Sequence, residues 1–239
     1  TPGQPRYVVK ASEANRGENL YVAWSPEEVI ADLRGPALDH GVSEWVIQRY
    51  IAPPFLLRRR KFHIRAHFLV CGCPRCGTSR AWLHSSQHVV LLASEDYDGS
   101  RTSRLSHLTN HCIQERSACY DEEKQVLHFT ELDDLAGRPG LGRHVLHEMA
   151  RSITKAVETS ASAPLTFAPL SQCFELFGAD FVLEDQGDAL PLVWLLEVNA
   201  GPDLAVFGQR LKKECLDLVH SVLQVAVVPY VEERSTESP

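Results

Sequence analysis

The sequence contains no continuous apolar run near the roughly 18 residues of a membrane helix, and Thr1 to Arg16 lacks the apolar core of a signal peptide. These absences predict an intracellular chain with no membrane span. Basic residues are in deficit, 24 Lys and Arg against 31 Asp and Glu, for a formal net charge of -7. That balance argues against a surface-wide attraction to nucleic acid or to an anionic membrane and leaves room for a local basic patch. No Gly-Lys-Ser/Thr follows the first loop, so it is not a P-loop. No Ser sits in a nucleophile elbow, and no Cys stands in a recognisable Cys and His context. There is no internal repeat. The seven cysteines (71, 73, 76, 112, 119, 173 and 215) are odd in number, which predicts free thiols in a reducing compartment.

What is present is ordinary globular material: 44% hydrophobic and 23% charged residues over 239 positions, between one large domain and two small ones. Tyr7 to Lys10 and Leu20 to Trp24 read as extended pieces. Ser25-Pro26-Glu27-Glu28 predicts a helix to Arg34, with Ser25 as cap and Glu28 completing a capping box. Glu44 to Ile51 is strand-like and is closed by Pro53-Pro54. Lys61 to Cys71 alternates, with Phe62, Ile64, Ala66, Phe68 and Val70 on one face and Lys61, His63, Arg65 and His67 on the other, a face too polar for a core. Strands are expected again within Trp82 to Ala93, and a loop over Ser94 to Asn110. Leu141, Val145, Met149, Ile153 and Val157 predict a helix over about 142 to 160. Phe174 to Leu183 and Leu192 to Val198 predict a hairpin, and a last helix is expected from Phe207 to Leu223. The expected class is mixed α and β with mostly antiparallel strands.

Four segments are candidates for chemistry. In Leu195-Leu-Glu197-Val-Asn199, residues two apart share a strand face, so Glu197 and Asn199 point together while Leu196 and Val198 point to the core. Two oxygen ligands on a rigid face, with Asp180 on the partner strand as a third, suit a hard cation such as Mg²⁺. The same trio also reads as a solvated hairpin face. Lys61-Phe-His63-Ile-Arg65 sets cationic or titratable groups two residues apart, where Arg and Lys could hold phosphate oxygens. Its alternative is an exposed rim continuing Arg58 to Arg60. Lys10 to Gly17 follows a strand with small and polar residues, as a phosphate-covering loop would. Cys71, Cys73 and Cys76, with His84 or His88, resemble a metal knuckle, but only three ligands are local, and a cysteine-rich turn is the preferred reading.

Taken in order, these segments resemble the tubulin tyrosine ligase-like family, whose members are ATP-grasp ligases. The resemblance runs through Lys10 and Arg16-Gly17, Val46-Ile-Gln48-Arg49-Tyr50-Ile51 with Pro-Pro-Phe-Leu-Leu after it, and Arg60-Lys61-Phe-His-Ile-Arg65. It continues through Ser106-His107-Leu108-Thr109-Asn110 with Gln114, Phe174-Glu-Leu-Phe-Gly178-Ala-Asp180-Phe, and Leu196-Glu197-Val-Asn199-Ala-Gly-Pro202. It implies an α+β ATP-grasp fold, a mostly antiparallel sheet flanked by helices. Lys10, Arg16 and Gly17 would cover the phosphates, and Gln48, Arg49, Tyr50 and Ile51 would form the hinge that reads adenine. Lys61 and Arg65 would contact phosphate or acyl phosphate, with His63, Thr109 and Asn110 nearby; Asp180, Glu197 and Asn199 would hold magnesium bridging ATP. The implied reaction is phosphorylation of a protein carboxylate by ATP and attack of an amine on the acyl phosphate.

The His-containing Lys-Phe-His-Ile-Arg block and Gly208-Gln-Arg-Leu-Lys-Lys resemble the fungal, P-body-associated branch of the family. That implies a cytoplasmic protein in P-bodies, with tubulin or mRNA decapping factors as partners and no direct contact with nucleic acid. Three departures point instead to an inactive interaction module: Asn19 stands where a second Gly is usual, His63 where the tubulin-modifying members carry Asp, and Leu91 where an Arg is expected. The resemblance also implies that the amino-terminal lobe is missing from this chain. Residues 1–51 would then be the remainder of the central lobe, 52–231 the carboxy-terminal lobe, and 232–239 a charged tail.

Overall fold

The structure is a computed structural model that describes residues 5–12, 20–34, 44–72, 79–101, 103–163, 170 and 173–229. The chain divides into two compact units. The first comprises Thr1–His63, Leu91–Gln125 and Val182–Trp194; the second comprises Ile64–Val90, Val126–Phe181 and Leu195–Pro239.

In the first unit, β1 (Tyr7–Ala11) lies between β2 (Leu20–Ala23) and β3 (Trp45–Arg49) in a three-stranded antiparallel sheet. Helix α1 (Pro26–Arg34) begins at the predicted cap. The Ser25 hydroxyl accepts from the Glu28 N–H at 3.3 Å, and the Glu28 carboxylate reaches back to the Trp24 N–H at 2.8 Å, one residue earlier than a standard capping box. Val29 of α1 joins Val9 and Ala23 in a small core, with Tyr7, Tyr21, Leu33 and Trp45 packed around it.

The long strand β4 (Phe62–Gly72) is the spine of a six-stranded sheet ordered β7-β6-β4-β8-β9, with β5 also paired to β4. Its partners are β5 (Ser79–Leu83), β6 (Val89–Leu92), β7 (Val126–His128), β8 (Phe174–Glu184) and the edge strand β9 (Leu192–Asn199). Helix α2 (Leu141–Ala161) buries Leu141, Val145, Met149 and Ile153, the periodicity that its sequence predicts, while Val157 is half-buried. The expected loop over Ser94 to Asn110 contains one 3-10 turn, Arg104–Ser106. The last helix, α3 (Lys212–Ala226), starts later than expected. A 3-10 turn at Leu204–Phe207 comes first, and Gly208 at φ 59°, ψ -160° breaks the helical path.

Two facial assignments are corrected. The polar face of β4 is not solvated: His63 is 5% exposed and His67 is fully buried. The His67 ring stacks on Phe207 at 5.0 Å and lies parallel to His88 at 6.4 Å, so segments distant in sequence cover that face. On β9, Val198 is 42% exposed rather than in the core, and Leu196 is only half-buried, because β9 is the sheet edge; Leu192 and Trp194 on the same side are exposed too. The cysteines that the structure describes, 71, 112, 119, 173 and 215, are free thiols as expected; Cys73 and Cys76 lie outside the described residues. Among the described residues, no group of three or more His, Cys, Asp and Glu side chains is arranged to hold a metal, and no helix is long and apolar enough to cross a membrane.

Met149 is fully buried, so Met149→Ala is expected to cost about 2–5 kcal/mol in urea unfolding. His147→Ala, at a side chain 70% exposed, should stay within about 0.5 kcal/mol. Burial lowers His67 to about 4 and His88 to about 3, against 6.5 unfolded, so below pH 6.5 the unfolded chain binds more protons. Their contribution to stability is complete above about pH 6.5 and is lost toward pH 4 at about 1 kcal/mol per group per pH unit. Urea midpoints taken between pH 7 and 5 should show this slope, and His88→Asn should make it shallower.

Candidate functional site

Within the first unit, register puts Lys10 and Gln48 on one face of the three-stranded sheet. Val8 pairs with Gln48 and Lys10 with Val46 and Leu20, and directly paired residues share a face. Arg49 points to the other face, where it stacks over the Trp194 ring at 5.5 Å and pairs with Glu184 at 3.7 Å. Arg16 and Gly17 lie outside the described residues. The expected hinge is occupied at one point: the Tyr50 N–H donates to the Arg6 carbonyl at 2.8 Å and has no hydrogen left for adenine. Ile51, next along, is half-buried.

Lys61 immediately precedes β4. Its ammonium donates to the His107 carbonyl at 2.9 Å and lies 4.1 Å from the centre of the Tyr50 ring. Desolvation pushes Lys61 down to about 7, so the amine is poised between its charged and neutral forms near neutral pH. Two residues on, His63 Nδ1 and the Thr109 hydroxyl are 2.7 Å apart in a buried hydrogen bond. Asn110 opens the short helix His111–Gln114, its carbonyl accepting from the Gln114 N–H at 3.1 Å. The hub among these residues is His107, which the candidate set omits although it stands in the same Ser-His-Leu-Thr-Asn block.

Within the second unit, Arg65 on β4 is paired in register with Asp180 on β8. Arg65 Nε donates to Asp180 Oδ1 at 2.5 Å and Nη2 to Oδ2 at 3.1 Å, a bidentate contact with side chains only 11% and 8% exposed. Its third donor, Nη1, reaches the Pro202 carbonyl at 3.1 Å, tying the turn after β9 to the sheet. Burial opposes the Arg65 charge, but Asp180, with Asp203 and Glu197 further off, outweighs it and raises the guanidinium above its ordinary value. Asn199 Nδ2 is 3.4 Å from Glu197 Oε1, so these two side chains share a face as predicted. The donor set Asp180, Glu197 and Asn199 is all oxygen and fits a hard cation. Asp180 would have to share its carboxylate with Arg65. Gly178 makes this arrangement possible, because a Cβ there would lie 2.9 Å from Arg65 Cδ and 3.2 Å from the Pro202 carbonyl oxygen. Leu91 is 3% exposed on β6 and supplies no polar group.

A model of the tubulin-tyrosine ligase family matches residues 2–235. The chain belongs to the tubulin-tyrosine ligase family. Its mostly antiparallel sheets flanked by helices are the α+β, ATP-grasp-like fold of that family. A probable tubulin–tyrosine ligase of Schizosaccharomyces pombe is 28% identical over 217 residues, covering 90% of this chain and 47% of the relative. The probable tubulin–tyrosine ligase PBY1 of Saccharomyces cerevisiae is 28% identical over 97% of the chain and 34% of its own length. The tubulin polyglutamylase ttll-5 of Caenorhabditis elegans is 30% identical over 99% of the chain and 32% of its own. The chain thus spans between about a third and a half of the length of these relatives.

Gly178→Ala is expected to force Arg65 and the Pro202 turn apart and to cost about 1–3 kcal/mol in urea unfolding. Gly201 has open space around it, so Gly201→Ala is the control and should change stability by less than about 0.5 kcal/mol.

Proposed function

We propose that this tubulin-tyrosine ligase family chain carries nucleotide and acyl-phosphate contacts of an ATP- and Mg²⁺-dependent carboxylate–amine ligase acting on a protein. The observation that carries the reading is Arg65, a permanent cation held by Asp180 and the Pro202 carbonyl and within the electrostatic reach of Glu197. In the reaction, an oxygen of the acceptor carboxylate bonds to the γ-phosphorus of ATP while the bond to the β-phosphate oxygen breaks and ADP leaves. The amine of an amino acid then bonds to the acyl carbon, the carbon–oxygen bond to phosphate breaks, and the amine gives up its proton to solvent.

Each group has a task consistent with its surroundings. Arg65 offers a guanidinium of fixed charge to phosphoryl oxygens. Lys61 offers an amine that gains its proton when an anion arrives. Lys10 and Gln48 share a face suited to nucleotide, and Thr109 and Asn110 follow the same chain segment as His107. Magnesium, when bound, would neutralise charge on the phosphates, and Asp180, Glu197 and Asn199 are the residues that would hold it. Relatives named as tubulin ligases and polyglutamylases support a protein carboxylate as acceptor, with tubulin as the first to test.

A second reading is favoured by His63. Where the enzymes of the family carry Asp, this chain has a buried ring turned to Thr109, which removes one carboxylate. On that reading the chain is a ligase-derived interaction module of a cytoplasmic mRNA-decay assembly, in P-bodies with decapping factors.

Calorimetric titration of ATP with Mg²⁺ is expected to give saturable heat, weakened about tenfold or more in Glu197→Gln as one metal-held contact is lost. Incorporation of labelled amino acid into a protein acceptor should fall in parallel. Absence of binding by a folded sample, together with incorporation unaffected by Glu197→Gln, rejects the ligase reading. ATP-dependent incorporation that depends on Glu197 rejects the module.

A further inference from the structure

His107 is 2% exposed and is held at every polar atom. Its Nε2 is 2.6 Å from the Ser100 carbonyl, which can only accept, so Nε2 carries the ring proton. Nδ1 is therefore the acceptor and takes the Tyr50 hydroxyl hydrogen at 3.0 Å. The ring also packs roughly perpendicular to Tyr97 and Trp24, with ring centres 5.3 Å and 5.6 Å away. Its own backbone carbonyl receives the Lys61 ammonium. Both groups that cradle Lys61 thus meet at one residue: the Tyr50 ring is bonded to the His107 imidazole, and the carbonyl is His107's own.

Resting on the nucleotide reading above, we propose that His107 is the positioning residue for Lys61, acting through Tyr50 and its own carbonyl without touching substrate. The ring has to be neutral. A proton on Nδ1 would reverse the bond, making the Tyr50 oxygen the acceptor and turning its hydrogen away from the ring, and would add a cation beside Lys61. Burial lowers His107, as does Lys61, while the Ser100 carbonyl and Asp98 work the other way, so the neutral tautomer prevails at neutral pH. The charged and titratable groups around Lys61 and His107 are Tyr50, Tyr97 and Asp98, with Asp32, Arg101 and Arg104 lining the cavity beside His107; desolvation raises both tyrosines, which stay protonated. The Arg59 carbonyl and side chain hold the loop that brings Tyr97 and Ser100 to His107: Tyr97 N–H donates to Arg59 O at 2.8 Å, and Arg59 pairs with Asp96 at 3.0 Å.

The test reads Lys61 directly, by NMR titration of the chain labelled at lysine side-chain carbons, with Lys61→Arg identifying the resonance. In the wild type its midpoint should lie near 7. Tyr50→Phe, which removes one hydroxyl, and His107→Leu should each raise the midpoint by about one pH unit or more as the amine reaches solvent. His107→Asn, which keeps an acceptor where Nδ1 stands, should bring it back toward the wild-type value. The dissociation constant for ATP with Mg²⁺ should weaken about tenfold in the Phe and Leu variants and less in the Asn variant. An unchanged Lys61 midpoint in folded Tyr50→Phe, or an Asn variant no better than Leu, overturns the proposal. A wild-type chain that binds no nucleotide and whose incorporation is unaffected by Glu197→Gln defeats the ligase reading, while the Lys61 titration still decides the role of His107.

Discussion

The ion pair between Arg65 and Asp180 is the constraint on which the second unit depends. Taking both charges out of water costs several kcal/mol per ion, and such a pair survives only with close bidentate geometry and its remaining donors used. Here the contact is bidentate, and a further N–H, on Nη1, goes to the Pro202 carbonyl. The pair also fixes register. A one-residue slip of β8 against β4 would turn Asp180 to the opposite face and leave a buried cation alone. Because β9 lies beside β8, the same register sets where Glu197 and Asn199 emerge relative to Arg65.

The first unit solves a related problem in the opposite way. Lys61 is given a carbonyl and an aromatic face, and desolvation brings its amine close to losing its proton. Arginine cannot relinquish its charge in a protein, so it needs carboxylates; lysine can, so it tolerates a neutral nest. The two cations are accordingly suited to different tasks, one as a fixed charge and one as a charge that appears when an anion binds.

Much of this is legible in the sequence. Alternation from Lys61 to Cys71 marked β4, four-residue spacing marked α2, and Ser25 with Glu28 marked the start of α1. Glu197 and Asn199 share a face because that follows from strand geometry alone. The burial of His63 and His67 was not legible, since their cover comes from Thr109, His88 and Phe207, far along the chain. Val198 misled for the converse reason: an apolar residue on an edge strand has a neighbouring strand on one side only. His107 could have been found in the same block as Thr109 and Asn110, but nothing local distinguishes a hub from a packed ring.

By itself, then, the sequence determined the elements, the family-like order of the blocks and the residue types available for anion and metal contacts, because those follow from short-range periodicity and composition. The tertiary structure alone decided which groups meet. Arg65 and Asp180 are 115 positions apart, and Lys61 and His107 are 46 apart. At such separations the partner is chosen by strand register and by what each buried charge must find once water is removed, and neither is written in any local pattern.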